Sequence, residues 1–334
     1  METPIPNLAA VQRARAALAG RIHHTPILSS TTAAARVAAL SGIELAEGRL
    51  YLKAEHLQKT GSFKPRGALT RIASLTSEER RRGAITLSAG NAGQAYAWAG
   101  RQAGVPVTVV MPAGAVRSKV NACLEYGAEV VLHGAHVGEA LARLEEIRAA
   151  RGLTYVHPYD QPEVVAGNGS LGLEVLADVP EVDVVVVAVG GGGLISGVAI
   201  AVKESRPAVR VYGVEPEGSD ALNRAVRAGQ PVPLQPRSVA DGLGAPIAGR
   251  IATEVGRRYL DGVILIDDPT ILAGLRFAVE RLKQVLEPAG ATALAALLAG
   301  GVPLRHGDRV LAVLSGGNVE VGRLGELLAA AQST

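Results

Sequence analysis

The chain has 334 residues, 48% of them hydrophobic and 19% charged. It is too long for one compact core and too apolar for a disordered chain, so two domains are expected and a small binding module is excluded. Lys and Arg number 34 against 31 Asp and Glu, giving +3, and the basic residues are scattered rather than gathered into a stripe, so nucleic acid is a poor candidate for a partner.

In chain order, the N-terminal stretch METPIPNLAAVQRARAALAG carries both charge signs and no apolar run long enough for a signal peptide. The chain therefore reads as soluble and unprocessed. Cys123 is the single cysteine. It can form no internal disulfide, and no Cys/His cluster has zinc spacing, so a reducing cytoplasm is the expected location.

Short β-branched runs alternate with Ala/Leu/Arg segments of helical length, the pattern of an α/β protein with mostly parallel strands. Strands are expected at residues 49–54, 84–88, 105–111, 129–132, 183–189, 209–214, 263–266 and 309–315. Thr76 with Glu79 has the spacing of a capping box, and Asp268 followed by Pro269 reads as an N-cap with proline in the first helical position. Residues 184–202 form an uncharged run of 19, close to a membrane span in length. Four consecutive glycines interrupt it. Each costs roughly 1 kcal/mol in a helix interior, so a strand, a glycine turn and a helix are expected instead. Residues 229–244 contain Pro231, Pro233 and Pro236 and show no clear period, so they read as a long surface excursion between two helices. Aromatic residues make up only 3%, so Ala, Val, Leu and Ile must fill the cores.

Four places look chemical. In KTGSFKPRGAL (59–69), Lys64 stands at a strand-to-helix junction, where desolvation beside an aromatic wall lowers an amine's pKa and frees it to attack a carbonyl. A solvated surface lysine is the competing reading. In SAGNAGQ (88–94), small residues after a strand let backbone N–H groups converge on a carboxylate or phosphate, and Asn91 adds an amide donor. A tight turn that merely needs glycine explains these residues equally well. In VVVVAVGGGGLISG (184–197), four glycines after a buried strand expose N–H groups to a phosphate. Gly191, Gly193 and Gly197, with Glu215 as a ribose-binding acid, also fit a loose dinucleotide fingerprint. In LAVLSGGN (311–318), Ser315 ends a buried strand and can point into a ligand crevice or cap its own turn.

Taken in this order, the motifs resemble the fold type II (tryptophan synthase beta-like) pyridoxal-phosphate enzymes, most closely the threonine/serine dehydratase family, with serine racemase as a near relative. The likeness spans nearly the whole chain. It includes HTPILSS (24–30), KAEHLQKTGSFKPRGA (53–68), HPYDQPEVVAGNGSLGLE (157–174), GVEPEGSD (213–220), ADGLG (240–244) and EPAGA (287–291).

The resemblance implies an α/β fold of two domains with mostly parallel twisted sheets. A large cofactor-binding domain takes residues 1–83 and 157–334, and a small mobile domain, 84–156, closes over the substrate. Lys64 then holds pyridoxal 5'-phosphate as a Schiff base and, once freed, removes the substrate Cα proton, while Phe63 packs by the ring. Gly190, Gly191, Gly192 and Gly193 bind the phosphate, an assignment that displaces the dinucleotide reading to an outside alternative, an NAD-dependent oxidoreductase. Asn91 binds the phenolic oxygen of the cofactor. Ser88, Gly90, Asn91 and Ala92 bind the substrate carboxylate, Tyr159 stands near the side-chain pocket, and Ser315 faces the pyridine nitrogen. A neutral hydroxyl leaves that nitrogen unprotonated, a weaker electron sink that suits elimination over a long-lived carbanion. The implied reaction removes the β-hydroxyl of threonine, serine or a 3-hydroxy analogue, giving a 2-oxo acid and ammonia. The alternatives within the fold are an amino-acid racemase and a β-replacement synthase.

Departures from the family pattern narrow this. Ala89 replaces the second serine of the racemases, which disfavours racemisation. Ala92 stands where threonine dehydratases usually have histidine, and Tyr159 where phenylalanine or asparagine is usual. For a divalent cation, Mg or Ca, Glu215 and Ser219 match two ligand positions, but the third falls on Ala221, one residue after Asp220. The chain ends shortly beyond Asn318, so a C-terminal regulatory domain is not expected. A homodimer is usual in the family. Arg66 and Arg117 could meet a second substrate carboxylate, but both are expected to be solvated surface charges.

Overall fold

The cores are built mainly from Ala, Val, Leu and Ile, as the scarcity of aromatic residues requires, with Tyr96 and Trp98 gathered in one of them. The computed structural model describes residues 4–331. Residues 1–3 and 332–334, the outermost parts of the expected large domain and the start of the N-terminal stretch, lie outside the described residues. The chain begins with α1 (Leu8–Leu18), β1 (Ile27–Ser30), α2 (Thr31–Ser41), β2 (Leu50–Lys53), α3 (Pro65–Ala73) and α4 (Ser77–Arg82). Next come β3 (Ala84–Leu87), α5 (Asn91–Ala103), β4 (Val107–Met111), α6 (Arg117–Glu125), β5 (Glu129–Leu132), α7 (Val137–Arg151) and β6 (Thr154–Tyr155). Then follow α8 (Pro162–Asp178), β7 (Val184–Ala188), α9 (Gly193–Ser205), β8 (Arg210–Pro216), α10 (Ala221–Ala228) and α11 (Arg250–Tyr259). The chain closes with β9 (Gly262–Ile266), α12 (Asp268–Phe277), α13 (Pro288–Leu298), β10 (Val310–Val313) and α14 (Val321–Ala330).

Two sheets result. One has the order β1-β2-β10-β7-β8-β9 and the other β5-β4-β3-β6. Every pairing is parallel except β1 with β2. The middle strands β7 and β10 are buried at every position, as continuous β-branched runs must be when helices cover both faces of a parallel sheet. The strand order matters for function. Lys53 of β2 pairs with Val313 of β10, and Ala312 of β10 with Val186 of β7, so the loops leaving the C-terminal ends of these three strands share one crevice.

All eight expected strands are present, with ends shifted by at most two residues. The two not foreseen are β1, an antiparallel strand without alternating pattern, and β6, only two residues long. The uncharged run at 184–202 splits into β7, a glycine turn and α9. Among the described residues no helix is long and apolar enough to cross a membrane. The Thr76/Glu79 capping box forms. The expected cap at Asp268 is off by one: Asp267 accepts from Thr270 N at 2.9 Å and caps α12. Asp268 instead accepts from Ser238 Oγ at 2.5 Å and Val239 N at 3.0 Å, tying down the proline-rich excursion. Either aspartate satisfies the capping pattern, and tertiary contacts choose between them.

Glycines set how closely the helices over the sheet approach. A Cβ on Gly197 of α9 would collide with Val165 O and Gly169 N of α8. Gly325 in α14 has nothing within 4 Å of the same position. Gly197→Ala is therefore expected to destabilise by about 1–3 kcal/mol through overpacking, and Gly325→Ala to stabilise by up to about 1 kcal/mol, both read from urea midpoints. Equal midpoints for the two variants would show that α8 and α9 are not in backbone contact.

Candidate active site

The loop after β2 is held against the end of β10 by a continuation of the sheet. His56 N donates to Leu314 O at 3.0 Å, Phe63 N to Ser315 O at 3.1 Å and Gly317 N to Gly61 O at 2.9 Å, and Ser62 bridges Gly316. Asn318 Nδ2 adds a bond to Thr60 O at 2.8 Å, where Thr60 holds a positive φ of 59°. Lys64 follows directly as the residue that starts α3, with Pro65 in the first helical position. Its Nζ lies 4.8 Å from the centroid of the Phe63 ring. Burial pulls the amine down to about 8, opposed by the charge of Glu287. Such an amine is partly neutral near physiological pH and is a nucleophile there.

The glycine loop leaves β7 beside this lysine loop. Gly192 begins α9 at φ +89° with no side-chain cap, so the first-turn N–H groups of α9 face outward from a helix N-terminus. The glycines are also demanded by packing. A Cβ on Gly191 would stand 2.5 Å from the Tyr159 ring and one on Gly193 2.6 Å from Tyr159 O, while one on Gly192 would collide with Ala252 and one on Gly190 would press on Leu243 at 3.0 Å. The Tyr159 hydroxyl donates to Ile247 O at 3.0 Å, so Tyr159 is the floor under the glycines. A narrow cavity beside Lys64 is lined by Ala92, Tyr96, Pro158 and Asn168. Asn168 Nδ2 donates to Gly193 O at 3.2 Å, while its Oδ1 is buried without a partner.

The asparagine loop comes from the other sheet, at the end of β3. Gly90 caps α5 without a side chain, Gly90 N donates to Ser88 Oγ at 3.2 Å, and Ala92 turns into the cavity wall. Asn91 reaches across. Its Nδ2 donates to Glu287 Oε1 at 2.6 Å and its Oδ1 accepts from Asn318 Nδ2 at 2.9 Å. Ser315, 5% exposed, makes only a long bond, Oγ to Ala289 O at 3.4 Å, and so keeps its hydroxyl available.

The lysine, glycine, asparagine and serine positions singled out from sequence thus surround one crevice. Several neighbours were not singled out. Glu287 caps α13 at 3% exposure, and its Oε2 is buried without a partner. Burial pushes its carboxyl up to about 7, with Asp241 adding to the rise and Lys119, Asn91 and Lys64 opposing it. Lys119 of α6 and Asp241 are themselves paired at 2.9 Å. His157 accepts from Tyr159 N at 3.2 Å and Asp160 N at 2.9 Å through Nδ1, and burial lowers it to about 4, so its ring is neutral. The sequence signals were the Glu-Pro pair before an alanine-rich helix and the His-Pro pair after a strand, both within motifs quoted above.

Two expectations change. Glu215 is fully buried, and its carboxylate oxygens accept from Leu222 N and Asn223 N, each at 2.8 Å, at the start of α10. Burial raises it to about 8, so it is a helix cap and no free acid for a ribose. For the expected cation, with Glu215 and the backbone carbonyl of Ser219 as ligands, no group of three or more His, Cys, Asp or Glu side chains among the described residues is placed to hold a metal ion. Arg117 is exposed as expected, but Arg66 is at 0% exposure. Its carboxylate partners lie in the core, which a sequence cannot show.

Residues 20–316 match the family described as "Pyridoxal-phosphate dependent enzyme". The chain is 38% identical to "L-threonine ammonia-lyase" of Thermotoga maritima, covering 95% of this chain and 77% of that one. It is 37% identical to the catabolic L-threonine dehydratase of Escherichia coli strain K12, over 94% and 93% of the two chains. Among solved structures, maize serine racemase superposes with a TM-score of 0.89 at 32% identity, over 99% of each chain. With its parallel sheets and a lysine, a glycine loop and a serine around one crevice, the chain belongs to the pyridoxal-phosphate dependent enzyme family and has the fold type II architecture.

Proposed function

We propose that the protein removes the β-hydroxyl of L-threonine or a related hydroxy amino acid such as L-serine or a 3-hydroxy analogue, giving a 2-oxo acid and ammonia. It is a pyridoxal-phosphate-dependent lyase of hydroxy amino acids. The observation that carries the reading is the desolvated Lys64 amine, on a loop paired through the backbone to Ser315, beside a glycine cradle at the α9 N-terminus. Both curated relatives cited above act on L-threonine by name.

The residues present fit the cofactor. Buried Asn168 Oδ1, Glu287 Oε2 and Ser62 Oγ have no partner among the described residues, and the glycine loop offers N–H groups where side chains are excluded. When bound, pyridoxal phosphate supplies an electron sink for charge developing at the substrate Cα. Lys64 Nζ carries the cofactor and then holds the proton taken from Cα. Phe63 packs beside it, Gly190, Gly191, Gly192 and Gly193 with the first turn of α9 receive the phosphate, and Asn91 is the donor for the phenolic oxygen. Ser88, Gly90, Asn91 and Ala92 present the α5 N-terminus to the substrate carboxylate. Ser315 meets the ring nitrogen with a neutral hydroxyl. Tyr159 bounds the side-chain end of the site through its packing on Gly191.

Ala89 carries no proton to deliver to the opposite face, which weighs against racemisation despite the likeness to serine racemase. Residues 84–156 move, in the same reading, as a small domain against 1–83 and 157–334. The bonds Asn91 to Glu287 and Lys119 to Asp241 are contacts that such closure makes and breaks. A homodimer and a cytoplasmic location belong to this reading too. A cation at Glu215 and Ser219 gains little from the geometry, since both Glu215 oxygens already accept backbone bonds.

Purified protein loaded with pyridoxal phosphate is expected to release 2-oxobutanoate and ammonia from L-threonine, and Lys64→Ala to abolish this with the fold intact. Normal turnover by Lys64→Ala removes the central assignment. Ser315→Asp should hold the ring nitrogen protonated and raise Cα-proton exchange of recovered substrate, measured in deuterated water, relative to oxo acid formed. An unchanged ratio means that Ser315 does not face that nitrogen. In the cofactor-free protein, the rate of reloading should rise with pH through about 8, because only the neutral amine attacks and Lys64 is lowered from 10.5 to about that value. A rise centred on the ordinary lysine value would show an amine in water.

A further inference from the structure

Arg66 lies in the first turn of α3, two residues after Lys64, and is completely buried. Its guanidinium has five N–H donors, and each has an acceptor. Nε donates to Glu55 Oε2 at 2.8 Å, and Nη2 donates to Glu55 Oε1 and Glu174 Oε2, both at 2.8 Å. Nη1 donates to Glu174 Oε1 at 2.7 Å and Ser170 Oγ at 3.0 Å. Both carboxylates are gripped in the two-pronged manner that a guanidinium allows and an ammonium does not. Burial works against the charge, but Glu55 and Glu174 outweigh it and drive the Arg66 pKa upward.

The cluster extends through β2. Lys53 Nζ lies 2.8 Å from Glu174 Oε2 and 3.1 Å from Asp178 Oδ2, and donates to Thr25 O at 2.8 Å. Thr25 Oγ1 closes the ring by donating to Glu55 Oε1 at 2.5 Å. A buried ion cluster confers little stability over an apolar set of the same volume. What it does confer is a single relative position of the elements that supply its members.

Those elements lead from the lysine to the glycine loop. A Cβ on Gly67 of α3 would stand 2.8 Å from Val164 O of α8, and one on Gly167 of α8 would collide with Arg66 O. The two helices are thus in backbone contact where Arg66 clamps Glu174. One residue on, Asn168 of α8 donates to Gly193 O, and Gly169 of α8 meets Gly197 of α9. We propose that Arg66 is a positioning residue, which fixes α3 against α8 and so sets the spacing between Lys64 Nζ and the glycine loop. This rests on the reading that Lys64 carries the cofactor and the loop takes its phosphate. Arg66 acts through position rather than field, because the Lys64 pKa is set by burial and Glu287.

The test compares Arg66→Lys, which keeps the charge and loses the fork, with Glu204→Ala. Glu204 is the penultimate residue of α9, at the end opposite the glycine loop, and its loss removes bonds to Leu8 N and Tyr259 Oη, so it serves as a stability control. The readouts are the cofactor dissociation constant by absorbance titration, the phosphorus NMR shift of the bound phosphate, and kcat per loaded site. For Arg66→Lys the dissociation constant should rise and kcat fall, each by about tenfold or more, with a displaced phosphorus signal, since misplacement by about 1 Å costs up to about a hundredfold. Glu204→Ala should lower Tm and leave all three within about twofold, as expected for independent sites. If Arg66→Lys does not fold, Glu174→Gln decides, with the same three changes expected. A folded variant of lower Tm whose cofactor affinity, phosphorus signal and kcat match the wild type overturns the proposal. Failure of borohydride reduction to attach the cofactor to Lys64 in the wild-type protein would instead sink the underlying assignment.

Discussion

The hydrogen bond from Phe63 N to Ser315 O, at 3.1 Å, joins a loop near the start of the chain to the end of its last strand, and the crevice depends on it. With the bonds from His56 N to Leu314 O and from Gly317 N to Gly61 O, it keeps the Lys64 loop and Ser315 side by side. It exists because β2 and β10 are parallel neighbours, and because the chain beyond each strand keeps pairing past the regular ladder. The adjacency of β10 and β7 then brings the glycine loop alongside. Strand order comes first, loop chemistry second, and the convergence of distant motifs is a property of the sheet.

Desolvation is what this arrangement does to its ionisable groups. Lys64 and Glu287 face one crevice, and burial is the largest influence on each, moving the amine down to about 8 and the carboxyl up to about 7. The depressed amine contributes stability above its unfolded value of 10.5 and loses that contribution as pH falls through about 8. The raised carboxyl contributes below its unfolded value of 4.5 and loses that contribution as pH rises through about 7. Near neutrality neither contribution is complete, so the crevice is a locally unfavourable part of the fold. The buried Oε2 of Glu287, without a partner among the described residues, adds to that cost.

Legibility in the sequence followed the range of the interaction. β7 could be read because four valines and a glycine run need only local physics, and the Thr76/Glu79 box because both partners lie within one turn. Motifs in order disclosed the family. Arg66 could not be read correctly, because an arginine three positions beyond Phe63 has no sequence mark separating a solvated charge from one held by Glu55 and Glu174. Glu287 and Lys119 escaped for the same reason, their partners Asn91 and Asp241 being far along the chain. The glycine loop was legible but ambiguous. Tyr159 alone requires glycine at 191, so a packing demand and a phosphate demand leave the same residues behind.

The distribution of proton donors around the crevice is asymmetric, and under the proposed reading that asymmetry selects the reaction. On one side stands Lys64, with an amine able to take and return a proton near neutral pH. On the asparagine loop, Ala89 offers a methyl group and Ser88 Oγ accepts from Gly90 N, while the Tyr96 hydroxyl, in the cavity wall beside Lys64, donates to His157 O at 2.8 Å. His157 itself is neutral, and its Nδ1 is taken by two backbone N–H groups. Under that reading, charge developing at the substrate Cα would meet no ready acid among these side chains. With Ser315 at its ring nitrogen, as proposed, bound pyridoxal phosphate would supply only a weak electron sink. Reprotonation of Cα from the far face would need an acid that these side chains do not offer, whereas loss of the β-hydroxyl as water would need a proton only at the departing oxygen, and elimination is the outlet that this set of side chains leaves open.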